Sequence, residues 1–364
     1  MDFGGISKRL TDWAKSILGW LPGGLGIVTV FSCAIFAALT GSGPATVAAI
    51  GSIMLPSMLK AGYSRETSAG LVASAGALGP IIPPSIPMII YGVTMNLSIP
   101  AMFMAGVVPG LVIALALSLV NVVFAYRNPE VLKHAKTMKF DFKESMKLFW
   151  KALGALGLPV LILGGIYGGI FTPTESAAVG IVYALILGFA LKELKVKDLP
   201  KILINSLKTS TMVNFIIAAA SLFSWVVSKS QIGIVISNAF ISFVGGSQAL
   251  YLFVLVVVLL IVGCLMDNVA ATLILAPILI PVGIALGCNE LHIGMLFCIC
   301  LVVGFVTPPF GYNLFTAVSI SGLNFKQIVK GALPFLLTEI LLLFVFAYVP
   351  GIITWLPRLM GYGY

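Results

Sequence analysis

The chain has 364 residues, of which 60% are hydrophobic and 9% charged, a balance that excludes an ordinary soluble domain. Its apolar runs are continuous and do not alternate with polar residues, which excludes a β-barrel and leaves an all-α polytopic membrane protein. The formal net charge of +9 comes from Lys and Arg placed between the apolar runs without interleaved aromatics and arginines, so it reads as a positive-inside bias and no nucleic acid is expected as a partner.

In chain order, residues 5–20 place Ile6, Leu10, Trp13, Ile17 and Leu18 on one helical face and Lys8, Arg9, Asp12 and Lys15 on the other. That pattern suits a helix lying in the surface of the lipid bilayer. Two apolar arms follow, from about Leu25 to Leu39 and on to Leu59, joined by Thr40-Gly41-Ser42-Gly43-Pro44. At about 15 residues each they are short for a crossing, and they predict a re-entrant hairpin with a small-residue tip at depth. The next apolar stretch, Ser68 to Val93, is interrupted by Gly79-Pro80-Ile81-Ile82-Pro83-Pro84-Ser85-Ile86-Pro87. A helix cannot run through so many prolines, and an opened backbone within a bilayer is tolerated only where protein or a watery cavity satisfies it, so this break predicts a binding site.

Residues 101–126 cross back and stop at Arg127. From there to Lys151, Lys139, Lys143, Lys147 and Lys151 recur every fourth residue opposite Met138, Phe142, Met146 and Phe149, as in a surface arm held on anionic headgroups or, alternatively, a solvated charged loop. Spans are expected at 153–171, 177–191 and 204–228, with Glu175 near the outer surface and Lys229 at the outer end of the third. Residues 231–244 repeat the surface-helix pattern. A second hairpin, 249–265 and 270–287, has the tip Met266-Asp267-Asn268; a second broken helix, about 293–320, contains Gly304-Phe305-Val306-Thr307-Pro308-Pro309-Phe310; and 332–355 is the last span.

An offset of 225 residues relates the two halves. It pairs Pro56 with Pro281, Gly62 with Gly287, Gly79 with Gly304, Pro83 and Pro84 with Pro308 and Pro309, Gly106 with Gly331, and Pro109 with Pro334. Backbone-shaping residues that match without a gap point to an internal duplication, and paired broken helices mark a transporter's substrate site. On this layout only Lys229 and Arg358 fall on one side of the membrane, so the basic side is cytoplasmic and the two hairpins open to opposite faces. The expected organisation is a first inverted repeat over 1–126, a basic amphipathic linker over 127–152 and a second inverted repeat over 153–364. The second repeat carries two spans before its surface helix that the first does not, so the complete architecture is expected to hold roughly 60 further residues ahead of residue 1.

The offset also pairs Ser42 with Asp267 and Gly43 with Asn268. Short polar side chains and helix-end carbonyls suit a small hard cation such as sodium, and half-helix N-termini attract anions. Neither Lys nor Arg lies in the tips or breaks, so an anionic substrate is expected to depend on dipoles, hydroxyls, amides and bound cations. For single residues such as Thr46 or Ser85, a hydroxyl bonding back to its own helix is an equal alternative. Asp267 reads as a cation ligand or proton carrier, and Glu339 as a partnered buried group or a subunit contact. The chain has no Walker motif and no Ser–His constellation, its histidines are isolated and its five cysteines form no CxxC pair. No enzyme, organic cofactor, disulfide framework or transition-metal centre is expected.

TGSGPATVAAIGSIMLPSM, GPIIPPSIPMIIYG and AGVVPG, in that order and spacing, resemble the large membrane subunit of tripartite ATP-independent periplasmic (TRAP) transporters, and the resemblance covers the whole chain. It implies a bacterial or archaeal inner-membrane permease of the elevator type that imports an organic acid with sodium. It also implies a small four-helix membrane subunit and a periplasmic substrate-binding protein as partners. By resemblance, Thr40, Ser42, Thr46 and Ser85 serve a first cation and substrate region around Ser42, and Asp267, Asn268, Thr307 and Asn313 a second around Asp267. Gly43, Gly79, Pro83 and Pro308 belong to the same tips and breaks. Where some sialic-acid members have an acidic residue this chain has Thr46, which favours another carboxylate, a C4-dicarboxylate or a related anion. Glu175 and Lys229 are candidates for docking the binding protein. A stand-alone sodium/dicarboxylate symporter and a non-transporting membrane scaffold are the rival readings.

Overall fold

The computed structural model describes residues 6–363 except Glu193 and Gln231; the side chains of Ile6, Phe223, Ser224, Val227, Ser228 and residues 232–237 lie outside that description. The regular elements among the described residues are helical. The first half runs α1 (Ile6–Leu18), α2 (Gly24–Thr40), α3 (Gly43–Lys60), α4 (Arg65–Ala75), α5 (Leu78–Ile81), α6 (Ile86–Met95) and α7 (Ile99–Tyr126). A middle group holds α8 (Pro129–Thr137), α9 (Phe142–Tyr167), α10 (Pro173–Ala190) and α11 (Leu199–Lys229). The second half runs α12 (Ile232–Val244), α13 (Gln248–Leu265), α14 (Asn268–Ala285), α15 (Glu290–Gly304), α16 (Tyr312–Ser321), α17 (Phe325–Tyr348) and α18 (Gly351–Leu359). Among the described residues, eight helical segments, counting Arg65–Met95 through its break, are long and apolar enough to cross a membrane.

The 225-residue offset carries from the sequence to the elements. Moved by it, α3 coincides with α14, and α2 and α13 begin and end within a residue of each other. The same local chemistry sets the boundaries in both halves. Ser64 accepts from the Thr67 N–H to cap α4, and Asn289 accepts from the His292 N–H to cap α15. Ahead of these caps, Gly62 (φ 91°) and Gly287 (φ 83°) take the left-handed turn that ends each hairpin. The Pro83–Pro84 and Pro308–Pro309 peptide bonds are both cis.

The first break is narrower than the prolines predict. Helical turns continue through α5 to Ile81, and only residues 82–85 are open, because Pro80 falls in the first turns of a new helix, where a missing N–H leaves no bond unmade. The second break spans 305–311 and re-enters helix through Gly311 at φ 66°.

Three other expectations need correction. Asp141 caps α9 by accepting from the N–H groups of Lys143 and Glu144, and α9 then runs unbroken to Tyr167. The linker expected over 127–152 is therefore α8 plus the opening turns of a span, with Lys143, Lys147 and Lys151 exposed on α9 and Lys139 outside any helix. The last span ends at Tyr348, because Pro350 cannot continue it, and α18 follows as a separate amphipathic helix. The apolar face of α1 packs on protein: Leu10 and Ala14 are fully buried, and the Trp13 ring lies 6.1 Å from Phe31 and 5.5 Å from Phe149. Burial pushes the pKa of Lys15 down, and its ammonium donates to Ser57 Oγ at 3.1 Å. The expected surface helix over 231–244 is present as α12 from Ile232, while its pattern over 231–237 falls outside the described side chains.

The core lies where the halves meet. Every residue of α15 from Leu291 to Gly304 is buried, and α15 packs on α13, α14 and α17. The first broken helix packs through α4 on α17, and the second part of each broken helix reaches across to the other half of the chain: α6 lies on α14, and α16 lies on α3. By contrast, α10 and α11 leave Ile181, Ile186, Leu207, Phe215 and Trp225 more than half exposed.

Candidate functional site

At the first hairpin tip, α2 ends on Gly41 (φ 60°) and Ser42 turns the chain into α3 in an extended conformation. The Thr46 hydroxyl donates to the Ser42 carbonyl at 2.8 Å and lies 3.1 Å from the Thr40 hydroxyl. The tip seats directly on the first break. A Cβ added to Gly79 would lie 2.5 Å from the Ser42 carbonyl oxygen and 2.9 Å from Thr46 Oγ1, and one added to Gly41 would lie 2.9 Å from the Pro84 carbonyl oxygen. Glycine is needed at these points because two backbones meet there. Inside the break, buried Ser85 donates to the Pro80 carbonyl at 2.5 Å and Pro83 is buried.

Asn313, from the start of α16, completes this cluster. Its Nδ2 donates to the Ala73 carbonyl at 3.1 Å, its backbone N–H donates to Phe305 across the second break at 3.0 Å, and its Oδ1 is buried without a partner. A Cβ at Gly43 would come within 2.7 Å of that Oδ1. Asn313, expected with Asp267 and Asn268, therefore stands at the first tip. The crossing of α16 onto α3 is the reason.

At the second tip, Asp267 occupies the position of Ser42 and accepts from the Val269 N–H at 2.9 Å, capping α14. Asn268 is 2% exposed, and neither its Oδ1 nor its Nδ2 has a partner. One turn on, the fully buried Thr272 hydroxyl is also unpartnered. Thr272 was not singled out from the sequence, yet its position four residues after Asn268 puts it on the same helical face. Thr307 donates to the Val303 carbonyl at 3.0 Å and Pro308 is partly exposed. The second break leans on a different partner: Gly304 meets the backbone of Gly263 and Cys264 near the end of α13, where Gly79 met the tip itself.

The donor set is made of neutral oxygens and amides, joined at the second tip by the Asp267 carboxylate. Among the described residues no group of three His, Cys, Asp or Glu side chains could hold a metal ion. Buried amide and hydroxyl oxygens beside helix-end carbonyls fit a hard, weakly charged cation, and the N-termini of α3, α6 and α14 offer partial positive charge to an anion. Ser85, Thr46 and Thr307 are satisfied by backbone carbonyls. At the two tips the buried atoms without a partner belong to Asn313, Asn268 and Thr272. Away from the tips, exposed Glu175 closes a capping box with Thr172, accepting its N–H at 2.8 Å, and Lys229 is exposed in the last turn of α11.

The sequence profile described as "Tripartite ATP-independent periplasmic transporter, DctM component" matches residues 1–352. The chain is 40% identical over 362 residues to the C4-dicarboxylate TRAP transporter large permease protein DctM of Pseudomonas aeruginosa, a match covering 99% of this chain and 84% of that protein. It is also 40% identical over 353 residues to the isethionate TRAP transporter permease protein DctMQ of Oleidesulfovibrio alaskensis, covering 97% of this chain and 55% of that one. The sialic acid TRAP transporter large permease protein SiaM of Vibrio cholerae is 33% identical over 365 residues, covering 100% of this chain and 84% of its own.

Proposed function

Because the chain belongs to the DctM family of large permease subunits of tripartite ATP-independent periplasmic transporters, a family of permeases and not of enzymes, we propose that it imports a small organic acid anion together with sodium. The observation that carries this reading is the pair of tips, each with a buried amide that keeps unspent polar atoms: Oδ1 of Asn313 at the first, and both Oδ1 and Nδ2 of Asn268 at the second.

In this reading residues 1–126 and 153–364 are inverted repeats joined by the basic segment 127–152, and their re-entrant hairpins enter from opposite faces of a bacterial inner membrane with the basic loops inside. Sodium binds at the two tips, near Thr40, Ser42 and Asn313 in one and Asp267, Asn268 and Thr272 in the other. The substrate's acid group sits between them against the open segments around Pro83–Ser85 and Thr307–Pro308. With no Lys or Arg in the tips or breaks, the bound cations supply the positive charge that the anion needs, so neither ligand binds well without the other. The helices carrying this cluster move as one body against α9–α11 in an elevator step.

The relatives' names give a C4-dicarboxylate, isethionate and sialic acid. Thr46, a neutral residue spent on its own helix, supports a C4-dicarboxylate or similar carboxylate over sialic acid. The permease works with a small four-helix membrane subunit, consistent with the relative whose name joins M and Q, and receives substrate from a periplasmic binding protein. Glu175 and Lys229 are weak contributors to that docking, since the Glu175 carboxylate is already committed to its cap. The test is uptake by the reconstituted complex with its binding protein when sodium is replaced by choline at fixed pH. Uptake should collapse, and unchanged uptake refutes sodium coupling.

A further inference from the structure

Glu339 lies in the middle of the buried stripe of α17, in register with Ala332, Phe335, Leu336, Leu343 and Phe346. It is 0% exposed, and neither carboxylate oxygen has a hydrogen-bonding partner. Its depth follows from contacts on either side. A Cβ on Gly70 would run into the backbone of Gly331 and Ala332, and one on Gly331 into Glu66, so α4 and α17 touch backbone to backbone in their opening turns. Tyr63 and Thr67 at the start of α4 gather with Phe124 and Arg127 at the end of α7, and the Phe124 ring packs 5.8 Å from Phe335; α4 and α17 therefore begin at the same end and run parallel.

From Gly331 to Glu339 is about 12 Å along the helix. At the opposite end His292 Nε2 meets the Phe346 carbonyl at 2.8 Å, about 10 Å beyond Glu339. The carboxyl thus sits midway along the packed core. On α4, Ser74 is likewise buried with an unpartnered hydroxyl, one turn past Gly70.

The titratable groups on the helices packed against α17 are Arg65 and Glu66 on α4, Glu290, His292, Cys298 and Cys300 on α15, Tyr126 on α7, Tyr251 and Cys264 on α13, and Tyr312 on α16. On α17 itself they are Lys326, Lys330 and Tyr348. Every basic side chain among these stands in the opening turns of its helix, away from the level of Glu339. An ionised carboxylate there would have neither a counter-charge nor a hydrogen bond, a state that a buried acid avoids by taking up a proton.

We propose that Glu339 is a proton-binding site, filled whenever α4, α15 and α17 are packed as they are here. When that packing opens to water, the O–H bond breaks, its electron pair stays on the carboxylate and the proton passes to water. The ligand is a proton, at a place separate from both hairpin tips, and the assignment does not depend on the sodium reading. Infrared difference spectroscopy of the full-length protein in lipid bilayers, wild type against Glu339→Gln at neutral pH, tests it without any transport measurement. The wild type should show a deuterium-sensitive carboxylic-acid carbonyl band that is wholly lost in the variant, because Gln keeps the shape of the neutral acid without its O–H. Carboxylate bands in place of the acid band would overturn the proposal. If the Gln variant fails to fold, Glu339→Asp carries the test: a displaced acid band supports the site, and an unchanged acid region overturns it.

Discussion

Ser42 and Asp267, 225 residues apart, each precede the second helix of a hairpin, but only Asp267 spends its side chain on the helix that follows. Its carboxylate accepts from Val269 N, whereas Ser42 makes no side-chain capping bond. Asp267→Ala should therefore lower stability by about 1 kcal/mol, the usual worth of a lost cap, and also weaken sodium activation. Ser42→Ala should leave the thermal midpoint nearly unchanged and raise only the sodium concentration needed for half-maximal uptake. Thermal unfolding and sodium titration of uptake, run on both variants, separate the two roles. Asn313→Leu gives a related contrast. It removes the bond to the Ala73 carbonyl and the free Oδ1 together, so half-maximal sodium should rise about tenfold, as expected for losing about 1.4 kcal/mol of ligand interaction. An unchanged sodium curve would remove Asn313 from the site. The resemblance groups this residue with Asp267, whereas the structure places it at the first tip, because a motif carries no sign of the way α16 leans on α3. Thr272 went unnoticed because a lone threonine in an apolar helix looks the same whether or not its hydroxyl is spent.

Helix boundaries were most legible where single residues dictate the backbone. Gly41 and Ser42 end one arm and start the next, and the observed α2 and α3 match the expected arms closely. Proline counting was less reliable, since Pro80 interrupts nothing when it opens a fresh turn. The lysines spaced by four could not reveal whether their helix stops or dives into the membrane, because both cases expose the same face; the continuity of α9 from Phe142 decides it. The close approach of tip and break makes its own prediction. At Gly79 an added methyl meets a backbone carbonyl at 2.5 Å, whereas at Gly43 it meets the end of the Asn313 side chain at 2.7 Å. Backbone cannot yield as a side chain can, so Gly79→Ala should cost about 2–3 kcal/mol and Gly43→Ala about 1 kcal/mol, within the range for overpacking. Thermal midpoints in that order would support the docking of tip on break, and the reverse order would count against it.

At the scale of the whole molecule, the 225-residue match of element boundaries is legible in the sequence because it is written in glycines and prolines, which shape backbone directly. The exchange of half-helices between the two halves, α6 onto α14 and α16 onto α3, is not legible there, because side-chain identity on α6 and α16 carries no address. The exchange gives the chain one shared core from two similar halves, with α15 and α4 at its centre and α10 and α11 largely exposed at its edge. Two equivalent residues report the orientation of the hairpins. Lys60 closes α3 and Ala285 closes α14, both are exposed, and the 225-residue offset maps one onto the other. If the repeats are inverted, these two ends lie on opposite sides of the membrane, Lys60 with the basic loops inside. All five native cysteines are buried, so the unsubstituted protein should react little with a membrane-impermeant thiol reagent. Lys60→Cys should then label only in inside-out vesicles and Ala285→Cys only in right-side-out ones. Labelling of both from the same face would mean that the hairpins enter together, and a pair of tips could not then alternate as inner and outer gates around one bound anion.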